Sequence, residues 1–151
     1  MKHYDPTTAP SVFDIVWCKW PRREDKLGPG PWVRPVLVLD VLPMVDERTD
    51  TKFAAITASY GTGLENVDIA ELRQGHLLIP GAQAPRLGLH KATVFKLDLG
   101  NRKRLPWAEE YFVPQKYVVS QNIIAGSLSE QERAFVLRYF EKNGLSFPLP
   151  H

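Results

Sequence analysis

The fold is decided by the stretch Trp32-Val33-Arg34-Pro35-Val36-Leu37-Val38-Leu39-Asp40, which joins one isolated cation to a short apolar run. Residues 36–39 are too few and too continuously apolar for an amphipathic surface helix, so they predict a buried β-strand. Pro35 has no amide donor and a fixed φ, which suits the first residue of a strand. Arg34 is therefore expected at the mouth of the strand, as a structural clamp or as a binding group. The stretch alone favours the clamp.

Length and composition indicate one ordinary globular domain. The 151 residues are 44% hydrophobic and 24% charged, which excludes the disordered, collagen-like and membrane-spanning classes. The formal net charge of +2 requires no polyanionic partner, so a nucleic-acid role depends on local clusters of cations. Cys18 is the only cysteine, and no apolar segment is long enough to cross a bilayer. We therefore expect a cytoplasmic protein without a disulfide and without a membrane partner.

Short apolar and aromatic runs predict a mainly β fold. Thirteen prolines favour short strands and shaped loops over long helices. The strand that follows Arg34 is expected to reach about Leu42 and to form a hairpin with residues 53–60. The other pieces predicted to build the sheet are residues 13–20, 76–79, 93–99, 105–107 and 111–113.

The carboxyl end changes to a helical period, which predicts one helix at about residues 129–142. Ser129 and Glu132 have the spacing of a capping box, and Asn143-Gly144 supplies a stop. Residues 1–11 are expected to form an arm and residues 12–151 a single domain. The domain is predicted to be a small, strongly bent sheet or barrel. The apolar face of the helix should pack on the barrel or on a second subunit; this face consists of Phe135, Val136, Tyr139 and Phe140.

The order of these pieces resembles the MazF/PemK family of bacterial toxins. A strand at Asp14-Ile15-Val16-Trp17, a charged loop, Arg34-Pro35 before an apolar strand, and Ala54-Ala55-Ile56-Thr57-Ala58 follow each other in the order and approximate spacing of the family. The first strand of the family reads Gly-Asp-Ile-Val, and Phe13 replaces that glycine here. The resemblance covers residues 12–113. Features that look like those of a longer branch of the family are Tyr60-Gly61-Thr62, residues 89–95 and Leu105-Pro106-Trp107.

The resemblance implies an SH3-like, MazF/PemK-type barrel with a C-terminal α-helix, usually homodimeric, that acts as the toxin of a toxin-antitoxin system. It also implies cleavage of single-stranded RNA without a metal or other cofactor, and neutralisation by a cognate antitoxin protein. Arg34 matches the catalytic arginine of the family and Thr57 its catalytic threonine. Another branch uses an Arg-x-Asp pair, and Lys96-Leu97-Asp98 is the nearest match, although lysine lacks the planar fork of arginine.

Metal-free cleavage would use the ribose 2′-hydroxyl as nucleophile, and Arg34 suits the stabilisation of charge on the phosphate oxygens. Thr57 could donate a hydrogen bond to the same phosphate, or it could be an ordinary half-buried strand threonine. The general base stays open among the internal histidines and two aspartates. These candidates are His76, His90, Asp14 and Asp98.

Binding of a flexible RNA strand requires cations for phosphates and flat rings for bases. Taken singly, each of these residues is more often a solvated or packed side chain, and Glu24 and Asp25 interrupt the charged loop. The run at residues 102–104 fits either an RNA backbone contact or a turn. The predicted RNA-binding residues are Arg22, Arg23, Lys26, Trp32, Tyr60, His90 and Lys91.

A second function is compatible with the same sequence: an SH3-like barrel that binds RNA or a protein without catalysis. The replacement of the family glycine by Phe13, the imperfect match at Lys96 and the absence of a clear base favour this alternative. A metal-dependent nuclease is disfavoured, because no cluster of carboxylates or histidines has ligand spacing.

Overall fold

A computed structural model describes residues 1–22, 28–115 and 122–145 of the chain. Within these ranges seven strands form one curled antiparallel sheet, and one α-helix follows it. The mainly β class with a C-terminal helix is thus confirmed. The strands are β1 (Asp14–Lys19), β2 (Val33–Asp46), β3 (Thr51–Gly63), β4 (Leu77–Ile79), β5 (Thr93–Phe95), β6 (Arg102–Pro106) and β7 (Ile124–Ser127), and the helix is α1 (Glu130–Lys142).

The hairpin of β2 and β3 is the centre of the sheet, as predicted. Its register pairs Val36 with Tyr60 and Asp46 with Thr51, with a bulge between Val38 and Asp40. The order of the sheet is β4-β5-β3-β2-β1-β7, and β6 also pairs with β3. Both edges of β3 are therefore occupied, by β2 on one side and by β5 and β6 on the other.

Two hydrophobic cores cover the two faces of this sheet. Leu37 and Leu39 of β2 belong to one core, while Val36 and Val38 belong to the other, because successive side chains of a strand point to opposite faces. We call the first the helix-side core, because it includes Val136 and Phe140 of α1. The second is the aromatic core, which includes Trp107, Tyr111 and Phe112.

Helix α1 begins at a complete capping box, which confirms the predicted start. The Ser129 hydroxyl accepts from the backbone of Glu132, and the Glu132 carboxylate accepts from the backbone of Ser129 at 2.7 Å. Val136 and Phe140 are buried in the helix-side core, and Phe135 and Tyr139 pack against it. The apolar face of the helix therefore packs on the sheet. Among the described residues no helix is long and apolar enough to cross a membrane.

Residues 1–11 lie against an aromatic segment of the body. The backbone of Tyr4 donates to the Trp107 carbonyl at 3.0 Å, and its hydroxyl donates to the Phe112 carbonyl at 2.7 Å. The Trp107 indole in turn donates to the Thr8 hydroxyl at 3.1 Å. Hydrogen bonds therefore tie this arm to residues 107–112.

Several elements differ from the sequence prediction. Strand β2 continues to Asp46, beyond the predicted end near Leu42, and residues 111–113 contribute an isolated bridge from Phe112 to Cys18 in place of a strand. The strand predicted at residues 93–99 ends at Phe95, so Lys96 and Asp98 lie beyond it. Strand β7 was not predicted, because its sequence Ile-Ala-Gly-Ser is short and half-exposed and has no apolar period. Its pairing with β1, more than a hundred residues earlier, is what makes it a strand.

Phe13 occupies a backbone conformation that favours glycine, since its φ is 76°. The surroundings hold it there: its amide donates to the Val38 carbonyl at 2.8 Å, and its carbonyl accepts from Leu128 at 3.0 Å. The Arg133 guanidinium lies 5.5 Å from the centre of its ring. Packing of the ring therefore offsets the strain of the left-handed backbone.

The left-handed backbone at residue 13 should reverse the usual stability order of alanine and glycine substitutions. Phe13→Ala and Phe13→Gly both remove the ring, but only alanine keeps a Cβ in the left-handed region, so Phe13→Ala should be less stable by about 1 kcal/mol. Urea denaturation measures the difference. The half-buried Phe53 of β3 supplies the matched control, because there glycine should be the worse replacement, by roughly 0.5–1 kcal/mol. Phe13→Gly falling below Phe13→Ala in stability would contradict the strain.

Candidate nucleic-acid interface

The residues that follow the charged loop pack against the end of β1, and this contact builds the candidate site. The Gly30 amide donates to the Lys19 carbonyl at 3.1 Å. A Cβ on Gly30 would lie 2.0 Å from the Trp20 carbonyl oxygen, so only glycine permits this approach. Trp32 and Arg34 are thereby brought next to Trp20. The predicted RNA-binding residues Arg23 and Lys26 lie outside the described residues.

A second glycine positions the other wall of the site. A Cβ on Gly61 would lie 2.3 Å from the Pro35 carbonyl oxygen and 2.8 Å from the Phe95 ring. The absence of a side chain therefore lets β2, β3 and β5 approach closely beside Tyr60. This explains the glycine in Tyr60-Gly61-Thr62.

These elements enclose a groove of about 270 Å³, which we call the Arg34 groove. It brings together five residues that the sequence predicted for the site: Arg22, Trp32, Arg34, Tyr60 and Lys96. The groove is also lined by Trp20, which the sequence offers as a ring for stacking on bases, and by Pro21, Pro31 and Asn101, which it does not predict for the site.

Aromatic rings and cations alternate in the Arg34 groove. The Trp20 and Tyr60 rings are tilted by 44° with centres 5.8 Å apart. The Arg34 guanidinium lies 6.0 Å from the centre of Tyr60, and the Lys103 ammonium lies 5.8 Å from that of Trp20. Trp32 is 65% exposed, which is unusual for so large an apolar side chain. The groove thus presents flat faces beside positive charge.

The charge of Arg34 is not neutralised by the described part of the chain. No described carboxylate lies within ion-pair distance of its guanidinium, and no described aspartate or glutamate lines the groove. A half-buried arginine without a counter-ion is a ready partner for an anion such as phosphate. This placement favours a binding group over the structural clamp.

His90 and Lys91 lie beside the groove, in an adjoining cavity of about 120 Å³ that Arg34 also lines. Lys91 forms an ion pair with Glu65, and this hydrogen bond holds the pKa of the Glu65 carboxyl below its usual value. The charge of Lys91 is therefore largely compensated. His90 is exposed, and its cavity is also lined by Trp17, Val33 and Leu89 of the helix-side core.

Thr57 lies on the opposite face of the sheet from Arg34. The register places Thr57 opposite Asp40 and between Ile56 and Ala58, two members of the aromatic core, so its side chain points to the helix side. Arg34 alternates with Val36 and points to the side of the aromatic core. The catalytic pairing that the resemblance implies requires both side chains in one cleft, and the described chain does not meet that condition.

The Lys96 and Asp98 pair is divided in the same way. Lys96 lines the Arg34 groove, whereas Asp98 lines a different cavity together with Thr57. Both Asp98 oxygens accept from the Asn101 amide, at 3.0 and 2.9 Å, and His76 Nε2 lies 3.5 Å from Oδ1. Asp98 and His76 are therefore engaged with each other. Neither of them lines the Arg34 groove.

Lys103 is the cation at this site whose position the sequence left open. Residues 102–104 suited a turn as well as an RNA contact, and the structure places them in β6. Successive side chains of β6 point to opposite faces of the sheet, so Lys103 lies on the same face as Trp20. Arg102 and Arg104 lie on the opposite face. The period of two in Arg102-Lys103-Arg104-Leu105, with Leu105 in the aromatic core, is the signal that identifies Lys103.

Neither a metal centre nor a thiol is apparent among the candidates. The described residues contain no group of three or more histidine, cysteine, aspartate or glutamate side chains arranged to hold a metal ion. Cys18 is fully buried in the aromatic core, and burial raises the pKa of its thiol. Cys18 is therefore a packing residue.

The burial of Cys18 predicts an inert thiol. The native protein should not react with the aromatic disulfide DTNB, because the thiolate is both inaccessible and disfavoured, and it should release one equivalent of chromophore in guanidinium. Absorbance of the released thiolate measures this. Full reaction of the folded protein within seconds would contradict the burial, and Cys18→Ser supplies the blank.

Comparison with family models, with curated proteins and with solved structures finds no match to this chain. The interpretation of the site therefore rests on its own side chains. They form a groove that combines exposed and half-buried aromatic rings with an arginine that has no counter-ion among the described residues.

Proposed function

We propose that the chain binds single-stranded RNA in the Arg34 groove. The observation that carries this proposal is the Arg34 guanidinium, without a described counter-ion, 6.0 Å from the Tyr60 ring. Splayed bases stack on rings such as Trp20, Tyr60 and Trp32, while a guanidinium and an ammonium hold the backbone phosphates. A duplex hides the faces of its bases, so these rings favour a single strand.

We further propose that the bound RNA is cleaved, as in the MazF/PemK toxins that the sequence resembles. The 2′-oxygen attacks the adjacent phosphorus while a base takes its proton. The bond to the 5′-oxygen breaks, and that oxygen takes up a proton. Arg34 would stabilise the charge that develops on the non-bridging oxygens.

We propose His90 as the acid-base group. It is exposed, and it lines a cavity to which Arg34 also contributes. His76 is engaged by Asp98. In this proposal Thr57 does not act on the reacting phosphate within the same chain, which departs from the role that the resemblance implies.

The backbone at residue 13 supports the resemblance. The family has glycine before Asp-Ile-Val, and here Phe13 adopts the left-handed conformation that glycine favours. Phe13 therefore stands where the family has glycine and keeps the backbone conformation that glycine favours. This supports the SH3-like arrangement of the MazF/PemK type as our proposal for the curled sheet.

The proposed ribonuclease function implies two protein partners, an antitoxin and a second copy of the chain. A toxin-type ribonuclease acts in the cytoplasm on cellular RNA and requires an antitoxin to neutralise it, and the family that this chain resembles is usually homodimeric. A second copy and an antitoxin protein are therefore proposed as partners. Sedimentation of the purified chain, alone and with a co-expressed candidate antitoxin, tests both.

Binding without cleavage is the second candidate function. The separation of Arg34 from Thr57 onto opposite faces of the sheet favours it. Among the described residues, no aspartate, glutamate or histidine lines the Arg34 groove, which also favours it. Both candidates predict RNA affinity, and they differ only in whether the strand is cut.

The proposed binding site predicts that Arg34 contributes strongly to the affinity for RNA. Arg34→Ala should weaken binding of a fluorescent single-stranded RNA decamer by about tenfold or more and lower the salt slope by roughly 0.7. Fluorescence anisotropy at several salt concentrations measures both. Arg48→Ala, an identical charge change at the exposed end of the hairpin, is the control and should have little effect. Equal losses in the two variants would indicate a diffuse charge effect and contradict a site at Arg34.

Cleavage should yield 2′,3′-cyclic phosphate and 5′-hydroxyl ends, which ligation-based sequencing distinguishes from other termini. His90→Gln should lower the cleavage rate by about 100-fold with RNA affinity unchanged, because it removes only the acid-base group.

Thr57→Ala should leave the rate nearly unchanged. Loss of cleavage in Thr57→Ala as severe as in Arg34→Ala would contradict a reacting phosphate held in the Arg34 groove. Intact RNA with normal binding would establish the second candidate.

A further inference from the structure

A second cavity lies on the opposite side of β3 from the Arg34 groove, and of the described residues assigned to the proposed RNA site only Lys103 also lines it. It encloses about 710 Å³ between β3, β6 and the end of α1, and we call it the helix-side cavity. This volume lies within the range that small-ligand sites occupy. Its lining residues are Thr57, Asp98, Leu99, Arg102, Lys103, Arg104, Tyr139, Asn143 and Leu145.

Two guanidinium groups define the charge of the helix-side cavity. Arg102 pairs with Ser59 and Arg104 with Thr57 across β6 and β3, so both arginines project to the helix side. Asp98 is the only carboxylate among the described lining residues, and Asn101 and His76 already engage it. No ion pair of Arg102 or Arg104 with a described carboxylate is formed. The cavity therefore carries a net positive charge that the described chain leaves uncompensated.

Arg102 packs against α1. Its guanidinium lies 5.4 Å from the centre of the buried Phe140 ring, and its Nε is buried with no hydrogen-bond partner among the described residues. A planar guanidinium offers paired donors that match a phosphate better than a lysine ammonium does.

The rest of the lining suits a flat, partly apolar group. The half-buried Tyr139 supplies a ring, and Leu99, which is 77% exposed, and Leu145 supply apolar surface. Burial and the charge of Asp98 raise the pKa of the Tyr139 hydroxyl, so it stays a hydrogen-bond donor at neutral pH. The Tyr139 carbonyl at the end of α1 accepts from the Asn143 backbone at 3.2 Å and from its side chain at 2.8 Å, which limits its repulsion of an anion.

We propose that the helix-side cavity binds a nucleoside phosphate. The phosphate lies between Arg102 and Arg104, and the base lies against Tyr139 and Leu99. The same chemistry belongs to a free mononucleotide and to one nucleotide of an RNA strand. The site is separate from the Arg34 groove, so it stands whether or not the chain binds or cleaves RNA there.

Calorimetric titration with adenosine 5′-monophosphate tests this site. The nucleotide should bind, and adenosine without its phosphate should bind at least about tenfold more weakly, because the arginines lose their partner. Arg104→Ala changes an exposed side chain, and Arg102→Lys keeps the charge but removes the fork. Each should weaken binding of the nucleotide by about tenfold or more.

The controls separate this site from the Arg34 groove. Arg48→Ala should leave nucleotide affinity within about twofold of the parent, and Arg34→Ala should lose less affinity than Arg104→Ala. A loss in Arg34→Ala as large as in Arg104→Ala, equal affinity for adenosine, or no binding of the nucleotide would overturn the proposal. Displacement of the nucleotide by a 5′-phosphorylated tetranucleotide supports the site and assigns it to a strand. Binding without displacement supports it and assigns it to free nucleotides.

Discussion

The alternation of side chains along β2 and β3 is the constraint on which the rest of the structure depends. Each strand is central and carries apolar residues at consecutive positions, so each must be buried on both faces. Residues 36 and 38 serve one core, and residues 37 and 39 serve the other. The same alternation decides where the polar side chains point. It sends Tyr60 and Thr57 to different faces, although only two residues separate them in sequence.

Some cations of the described chain are paired with a carboxylate, and others have no such partner. Arg86 binds the Glu132 carboxylate with two hydrogen bonds and fixes the start of α1, and Lys91 is engaged by Glu65. These pairs have a structural explanation. The guanidiniums at positions 34, 102 and 104 have no such partner among the described residues, and each lies at a cavity. Uncompensated positive charge in a concave surface is the feature that an anionic ligand recognises.

The sequence was informative wherever local pattern determines structure. The capping box at Ser129 and the apolar run after Arg34 act over a few residues, and both elements lie where the pattern predicts. Strand β7 and the β6 cations depend on pairing with distant strands, which no local pattern contains. The candidate site shows the same division. Arg22, Trp32 and Tyr60 were predicted beside Arg34, whereas the bulge between Val38 and Asp40 and the resulting face of Thr57 follow only from the register.

The arginines and lysine of β6 have a second physical effect. Among the described strands β6 pairs only with β3, so its outer edge presents unpaired backbone groups of the kind that join sheets of separate molecules. Three consecutive cations followed by Pro106 at the end of the strand oppose such pairing, because like charges repel and proline cannot donate. The same five residues therefore carry charge of the proposed ligand site and oppose pairing between separate molecules. A substitution there is expected to change solubility and ligand binding together.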